Sequence, residues 1–595
     1  MNRNFGVVKV VNKPKDFKKT MRNLWKYLYK YRFLLILALF ITIAAGLFSL
    51  IGPFIIGKSI LLISEGFIVG QIDFEQIWIY ALLLICFYFA SSILSLLLNQ
   101  IMIRMSKKIT KTIREDAFSK ISSLPISFFD TNTIGDIISR MSYDIDTIGS
   151  GLATNLVSIV TSFVTVVGSF VMMLITAPIL CLIFLVPVPL SLLFTWYMVK
   201  KTRPLFKTRS KKLGELNGYT EEMVTGAKSI RTYNNEQKII DKFDVYNHDA
   251  VEAAYKAEYY SSITGPGVNF FSNLSVTLVC IFGTILLIRK TLTIDVISSF
   301  VLYSRKFSGP INEIANLITD LQTALAAAER VFEILEQTPE ANDKIDNVHL
   351  NDCEGNIKLE KVNFGYLENS LVLSDINMEV PSGKVIAIVG PTGCGKTTIV
   401  SLLMRFYNIK EGLITIDDKN IYNIVRKDVR KAFAMVLQDT WLFEGSIIDN
   451  LRYSNKDATI EEIKKVATTA SIDTYIEALP NGYDTIMVEG GVNISIGQKQ
   501  LLTIARAMLQ DSKMLILDEA TSNVDTTTEI DIQNAMQKLM SNKTCIIIAH
   551  RLSTIRHADL IVVMKDGKIV EIGNHEQLLA NEGFYNELHY SQYKT

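Results

Sequence analysis

The sequence is short of the residues that punctuate or staple a chain. Its 595 residues include only 13 prolines, which excludes a collagen-like or proline-rich disordered chain. Its 6 cysteines, Cys86, Cys181, Cys280, Cys353, Cys394 and Cys545, are far apart and form no CxxC pair. That spacing excludes a dense disulfide scaffold and reads as small buried hydrophobes of a reduced compartment. An excess of charge of either sign is also missing. With 61 Lys+Arg against 60 Asp+Glu the formal charge is +1, so nothing points to nucleic acid or to an acidic partner.

What the chain has in quantity is apolar surface, 49% hydrophobic residues, and it is unevenly spread. Runs at Phe33–Ile56, Ile77–Met102, Leu156–Ala177, Ile179–Val199, Ile263–Ile288 and Ile294–Leu317 each reach the roughly 20 residues that carry a helix across ~30 Å of hydrocarbon. Six membrane spans are therefore expected. The leader, residues 1–32, holds ten Lys and Arg from Arg3 to Arg32 against Asp16 alone. Retained cations mark the cytoplasmic side, so the N-terminus is expected there. The turn carrying Glu65, Asp73 and Glu75 is then external, and Arg289 and Lys290 run against the rule. The leader is rich in lysine and has no serine before Ser49, unlike a transit peptide, and Phe17–Tyr31 reads as an interfacial helix.

The polar stretches Arg104–Ser150 and Lys200–Ser262 read as helical extensions of the spans beyond the bilayer. Arg305 and Lys306 interrupt the last apolar run. A cation facing lipid there costs at least ~2.5 kcal/mol, so both are expected to line a path, pair with a carboxylate, or lie in the extension.

Residues 33–336 thus form a membrane domain, residues 337–356 a polar linker, and residues 357–595 a domain of another kind. There, short β-rich runs alternate with helical patterns at Ile357–Glu360, Val385–Val389, Leu413–Ile416, Met514–Leu517, Thr544–Ala549 and Leu560–Met564. An α/β domain with a largely parallel sheet is expected.

Gly390-Pro391-Thr392-Gly393-Cys394-Gly395-Lys396-Thr397, followed by Thr398, is a P-loop placed where one must be, after a strand and opening a helix. Its glycines let backbone N–H groups converge on phosphate oxygens, Lys396 neutralises the β- and γ-phosphates, and Thr397 offers a hydroxyl to Mg²⁺. Met514–Leu517 runs into Asp518-Glu519. Alone, two acids at a strand end leave a solvated turn open as the lesser reading. After a P-loop, Asp518 suits the Mg²⁺ shell and Glu519 the attacking water.

Ile494-Ser495-Ile496-Gly497-Gln498 resembles the LSGGQ signature of ABC-type ATPases, with Ile494 for leucine and Ile496 for the first glycine. The other landmarks of that family follow in order. Tyr366 stands where an aromatic stacks on adenine, Gln438 in the Q-loop, Ser522-Asn523-Val524-Asp525 as the D-loop, and His550 as the switch histidine. Leu124–Asp130, Gly135-Asp136 and Ser139-Arg140, then Glu221–Gly226, then Ala326–Phe332 resemble the intracellular loops and sixth-helix end of ABC exporters of the half-transporter type.

The resemblance implies a type IV ABC transporter: a six-helix membrane domain followed by an α/β P-loop ATPase domain. It further implies ATP and Mg²⁺ as cofactors, with Thr397, Gln438 and Asp518 on the metal. Two chains would sandwich ATP, Ser495, Ile496, Gly497 and Gln498 acting on the nucleotide of the partner. The altered signature beside an intact Glu519 and His550 resembles one subunit of bacterial heterodimeric multidrug exporters, which favours a heterodimer over a homodimer. The tips Ile126–Thr131 and Thr220–Thr225 would be coupling helices. The implied setting is the cytoplasmic membrane, ATPase domain inside, with lipid around the spans and a small amphipathic compound as cargo. A homodimeric lipid or peptide exporter is the alternative, and an ATP-gated channel a more distant one.

Overall fold

Apolar runs joined to polar runs that keep helical spacing build helices far longer than a bilayer is thick. The computed structural model describes residues 16–341, 343, 348–350, 353–367, 370–438, 440–488, 491, 494–518, 525–549 and 555–593. The chain divides into two compact units, Met1–Leu124 with Phe128–Pro339, and Pro125–Ser127 with Glu340–Thr595.

In the first unit, helix α1 (Phe17–Tyr29) is capped by Asp16, whose carboxylate accepts from Lys19 N at 3.0 Å. Next come α2 (Arg32–Val69), α3 (Phe74–Ser122), α4 (Ile134–Thr176, containing π turns at Arg140–Asp144 and Gly151–Asn155), α5 (Pro178–Thr225), α6 (Glu236–Ile288) and α7 (Ile294–Glu336). Apolar stretches long enough to span a membrane occur in α2 to α6. In the sixth expected span, the first half of α7, Asp295, Arg305 and Lys306 interrupt the apolar run. At 49 residues, α3 is about 74 Å long, more than twice the hydrocarbon thickness, so it must project well beyond it.

Connections at one end are minimal. Gly70, in the left-handed region at φ +80°, ends α2, and Asp73 caps α3. Glu65, expected in that turn, lies inside α2, because the helix runs thirteen residues past Ile56. Ala177 alone separates α4 from α5, and Pro178, which needs no N–H donor at a helix start, opens the latter. Proline is scarce yet sits inside α2, α5, α6 and α7 at Pro53, Pro204, Pro266 and Pro310. Neighbouring helices make such positions tolerable in a bundle.

At the other end, Leu24 and Leu28 of α1 bury against Met102, Met105, Ile109 and Ile113 of α3 and Val331 and Phe332 of α7. Charge locks the same region. Asp144, with 2% of its side chain exposed, receives Arg330 Nε at 2.7 Å and a second contact from Arg330 Nη2. Arg140 bridges Asp136 at 2.9 Å and Glu333 at 3.2 Å, and Lys19 of α1 reaches Glu336 at 2.6 Å. All six cysteines are free. Cys394 and Cys545 are buried as expected, but Cys86 and Cys280 lie on outward faces of α3 and α6, where a span can keep an apolar residue exposed to the protein's surroundings.

The second unit contains strands β1 (Ile357–Phe364), β2 (Leu373–Val380), β3 (Val385–Val389), β4 (Glu411–Ile416), β5 (Lys419–Asn420), β6 (Phe433–Val436), β7 (Gly445–Ser446), β8 (Ile486–Met487), β9 (Met514–Asp518), β10 (Thr544–Ile548), β11 (Leu560–Lys565) and β12 (Lys568–Gly573). They form a six-stranded sheet ordered β12-β11-β3-β10-β9-β6, an antiparallel sheet β2-β1-β4-β5, and the pair β7-β8. In the six-stranded sheet the five strands from β11 to β6 are parallel and β12 is antiparallel. Glu340, in the stretch read as linker, holds Arg430 Nη2 at 2.6 Å within this unit.

Candidate ATP site and family

Register places the candidate residues. Ile388 of β3 pairs with Ile548 of β10, which pairs with Asp518 of β9, while Leu517 pairs with Val436 of β6. The carboxyl ends of four parallel strands are thus level, the edge at which open α/β sheets bind ligands. The P-loop leaves β3 there, Asp518 ends β9 there, and Gln438, which is exposed, follows β6 by two residues. Glu519 and His550 follow β9 and β10 in the chain and lie outside the described residues, as do the first three residues of the D-loop.

The P-loop is shaped by three glycines with positive φ. Gly390 at +155° would drive a Cβ to 2.3 Å from Met564 O, and Gly395 at +103° would drive one to 2.6 Å from Leu373 Cδ2. Gly393 at +86° faces open space instead. Pro391, Thr392 and Gly393 form an exposed arc, and Cys394 is buried beneath it. Lys396 opens helix α8 (Lys396–Leu403) and is 6% exposed, its Nζ donating to Gly390 O at 2.8 Å and Pro391 O at 3.1 Å. Thr397 beside it is exposed. An exposed glycine arc, a helix N-terminus and an amino group at its centre make a cradle for phosphate.

Tyr366 joins this cradle through its hydroxyl, 3.1 Å from Thr398 Oγ1 on α8. Its ring, 52% exposed, meets Phe364 and Tyr407 edge to face at 5.0 and 5.1 Å. Tyr407 was not foreseen from the sequence. It lies forty-one residues further on, and only the fold brings it to Tyr366.

The signature stands apart. Among the described residues no hydrogen bond or ion pair links Ser495–Gln498 to the P-loop. Ser495 caps helix α9 (Ile496–Leu509) in a reciprocal box: Ser495 Oγ accepts from Gln498 N at 3.3 Å, and Ser495 N donates to Gln498 Oε1 at 3.1 Å. Ile496 is 52% exposed and Gly497 buried. Asp525 likewise caps helix α10 (Thr526–Met540), and the Thr528 N–H and hydroxyl, both at 3.0 Å, hold its carboxyl below the usual carboxylate range.

A cleft of about 360 Å³ beside Gln438 was also missed, lined by Leu437, Trp441, Phe443, Tyr453, Thr503 and Arg506. Arg506 organises it, donating to Asn450 O at 2.9 Å and Trp441 O at 3.1 Å. The signal available was the pair Trp441 and Phe443, apolar residues close behind Gln438.

The two cations of α7 part company. Lys306 Nζ donates to Ser49 O of α2 at 2.7 Å and to its hydroxyl, whereas Arg305 is exposed.

Residues 35–311 match the ABC transporter transmembrane region family and residues 373–522 the ABC transporter family. The structure of a bacterial Atm1-family ABC exporter with ATP bound superposes with a TM-score of 0.77 at 25% identity, covering 94% of this chain and 98% of that one. The chain is an ABC exporter. Its relatives include the uncharacterized ABC transporter ATP-binding protein YfiC of Bacillus subtilis, 40% identical over 98% of this chain and 96% of YfiC. A fatty acid ABC transporter ATP-binding/permease protein of Mycobacterium bovis is 39% identical over 87% of this chain and 82% of its own length. An ATP-dependent lipid A-core flippase of Desulfotalea psychrophila is 32% identical over 97% and 100%. As an ABC exporter, the protein is a multi-pass membrane protein of the half-transporter type, and its ATPase domain binds and hydrolyses ATP to drive transport. Exporters of this family work as dimers.

Proposed function

We propose that this exporter moves amphipathic compounds, of the multidrug type, out across the cytoplasmic membrane, and that it does so as one half of a heterodimer. The N-terminus and ATPase domain would face the cytoplasm, the side marked by the basic leader.

In this reading ATP lies along the carboxyl edge of the parallel sheet. Gly390, Pro391, Thr392, Gly393, Cys394, Gly395, Lys396, Thr397 and Thr398 hold its phosphates, and Tyr366 takes the adenine. Thr397, Gln438 and Asp518 are oxygen donors drawn from one sheet edge, a set that suits a hard cation such as Mg²⁺. The ion would offset phosphate charge. Glu519 orients the attacking water and His550 steadies the γ-phosphate. Ser495, Ile496, Gly497 and Gln498 present the N-terminus of α9 to nucleotide on the partner chain, and Asp525 fixes the neighbouring helix start.

The observation that carries the heterodimer is Ile496. Its exposed branched side chain stands at a helix N-terminus where a phosphate oxygen would come close. Purified alone in lipid nanodiscs, the chain should bind ATP yet turn it over at the level of a Glu519→Gln control. Turnover that depends on Glu519 would overturn the heterodimer in favour of a homodimer. The names of the relatives favour lipid-like cargo as the second reading, which ATPase stimulation by fatty acids against cationic drugs would separate.

A further inference from the structure

The ring of Tyr366 is fixed by other rings, and one of them comes from a segment far along the chain. Phe364, Tyr366 and Tyr407 close a triangle with centroid separations of 5.0, 5.1 and 5.7 Å. The planes of Phe364 and Tyr407 stand at 84° and 86° to that of Tyr366, the edge-to-face arrangement in which ring quadrupoles attract. Phe364 is buried in the apolar core that includes Leu373, Ile399 and Leu403, and Tyr407 is half-buried against the same core. The Tyr366 hydroxyl is fixed separately, to Thr398 of α8.

The backbone on either side of Tyr366 is tied to the segment that carries Tyr407. Lys410 N donates to Asn363 O at 2.9 Å and Lys410 Nζ to Leu367 O at 2.6 Å. Asn363 Nδ2 donates to Glu411 Oε2 at 2.9 Å. Gly365 has no room for a side chain, since a Cβ there would lie 1.6 Å from Ser370 O. The loop is drawn tight, and the Tyr366 ring cannot swing without opening the triangle. About half of that ring is nevertheless exposed, which leaves it a surface for a flat partner. A ring already ordered by the protein spares a ligand the cost of ordering it, so a fixed platform binds a base more tightly than a mobile one.

We propose that Tyr407 is a positioning residue for the nucleotide: its ring sets the plane of Tyr366 and thereby raises affinity for the base, acting through Tyr366. This rests on the reading of Tyr366 as the residue that takes the adenine, and adds the residue that aims it. Tyr407 suits a test because it lies at the margin of the core, where truncation leaves the buried Phe364 in place.

The full-length exporter in nanodiscs is titrated calorimetrically with ADP and with inorganic pyrophosphate, which share two linked phosphates and differ by the nucleoside. In Tyr407→Ala the affinity for ADP should fall about threefold to tenfold, the loss expected of an edge-to-face pair, while that for pyrophosphate stays unchanged. Tyr407→Phe keeps the ring and should remain within about twofold of wild type. Tyr366→Ala with Tyr407→Ala should bind ADP no more weakly than Tyr366→Ala alone, because the second residue acts through the first. Equal losses for ADP and pyrophosphate would mean a general loosening of the site. Additive losses in the double variant would mean direct contact with the base, and unchanged ADP affinity in Tyr407→Ala would mean that Phe364 and Thr398 suffice. Each of these overturns the assignment. Should Tyr407→Ala fail to fold, Tyr407→Leu, which keeps an apolar group on the core, carries the same comparison. If Tyr366→Ala leaves the ratio of ADP to pyrophosphate affinity unchanged, the adenine reading itself falls. A ratio lowered by Tyr366→Ala but not by Tyr407→Ala leaves that reading standing and removes only the positioning role.

Discussion

The hydroxyl of Tyr366 lies 3.1 Å from Oγ1 of Thr398, tying the aromatic proposed to take the adenine to helix α8, which follows the P-loop. Two roles meet in one side chain. Loss of the ring in Tyr366→Ala should weaken ATP binding about tenfold, as expected when a base loses an aromatic platform. Tyr366→Phe keeps the ring and should cost about threefold or less. Titration with a fluorescent nucleotide separates them, and equal losses would mean that the hydroxyl, not the stacking, matters.

Ile496 is exposed, so replacing it should leave the fold untouched. Ile496→Gly is expected to move the thermal midpoint by no more than about 2 °C. If the side chain obstructs the site it faces, ATP hydrolysis by the assembled dimer should rise. An unchanged rate would show that Ser495 and Gly497 suffice there.

The pair Asp144 and Arg330 joins α4 to the end of α7, with the carboxylate almost fully buried. Removing the acid alone strands a half-buried guanidinium, so Asp144→Ala should destabilise the first unit by about 3 kcal/mol. Asp144→Leu with Arg330→Met should recover most of that, because a matched apolar pair leaves no uncompensated charge. Thermal inactivation of the four variants in lipid closes the cycle, and a double variant as weak as the single one would speak against the account.

His575 and His589 set an acid limit on the second unit. Both are held below the ordinary imidazole value, first by burial, then for His575 by His589 and Arg556 and for His589 by Arg556, with Glu576 opposing at His575. His575 Nδ1 also meets the Tyr585 hydroxyl at 2.7 Å. The folded state therefore binds fewer protons than the unfolded chain just below the free imidazole value. Stability contributed by these groups is present above about pH 6.5 and is lost as pH falls through it. Thermal midpoints recorded between pH 7.5 and 5.5 should decline, and His575→Phe should flatten the decline.

Much of this was legible beforehand because it is local. A P-loop declares itself by spacing, and its strand, turn and helix fall where Val385–Leu403 put them. Other elements were hidden for particular reasons. β2 alternates Leu373, Ile376, Met378 and Val380 inward, but Asp375 and Asn377 between them weaken the strand signal. β12 is a half-exposed edge with Val570 and Ile572 facing out, so its pattern lacks a buried side. Tyr407 and the Asp144–Arg330 pair depend on contacts across long stretches of chain, which spacing does not reveal. Glu65 was misplaced because an acid near a helix end reads as a turn until the helix is seen to continue.

Ala177 standing alone between two long helices, and Gly70 to Asp73 between two others, leave one rim of the membrane unit almost without polypeptide. A receptor delivering solute at that rim would find no platform to grip, and a protease or antibody approaching from that side would find little chain to cut or cover. With that rim outermost, as proposed from the basic leader, proteolysis of intact cells is expected to leave this exporter whole and opened vesicles to expose its long polar extensions to rapid cleavage; cleavage of intact cells would reverse the proposed orientation.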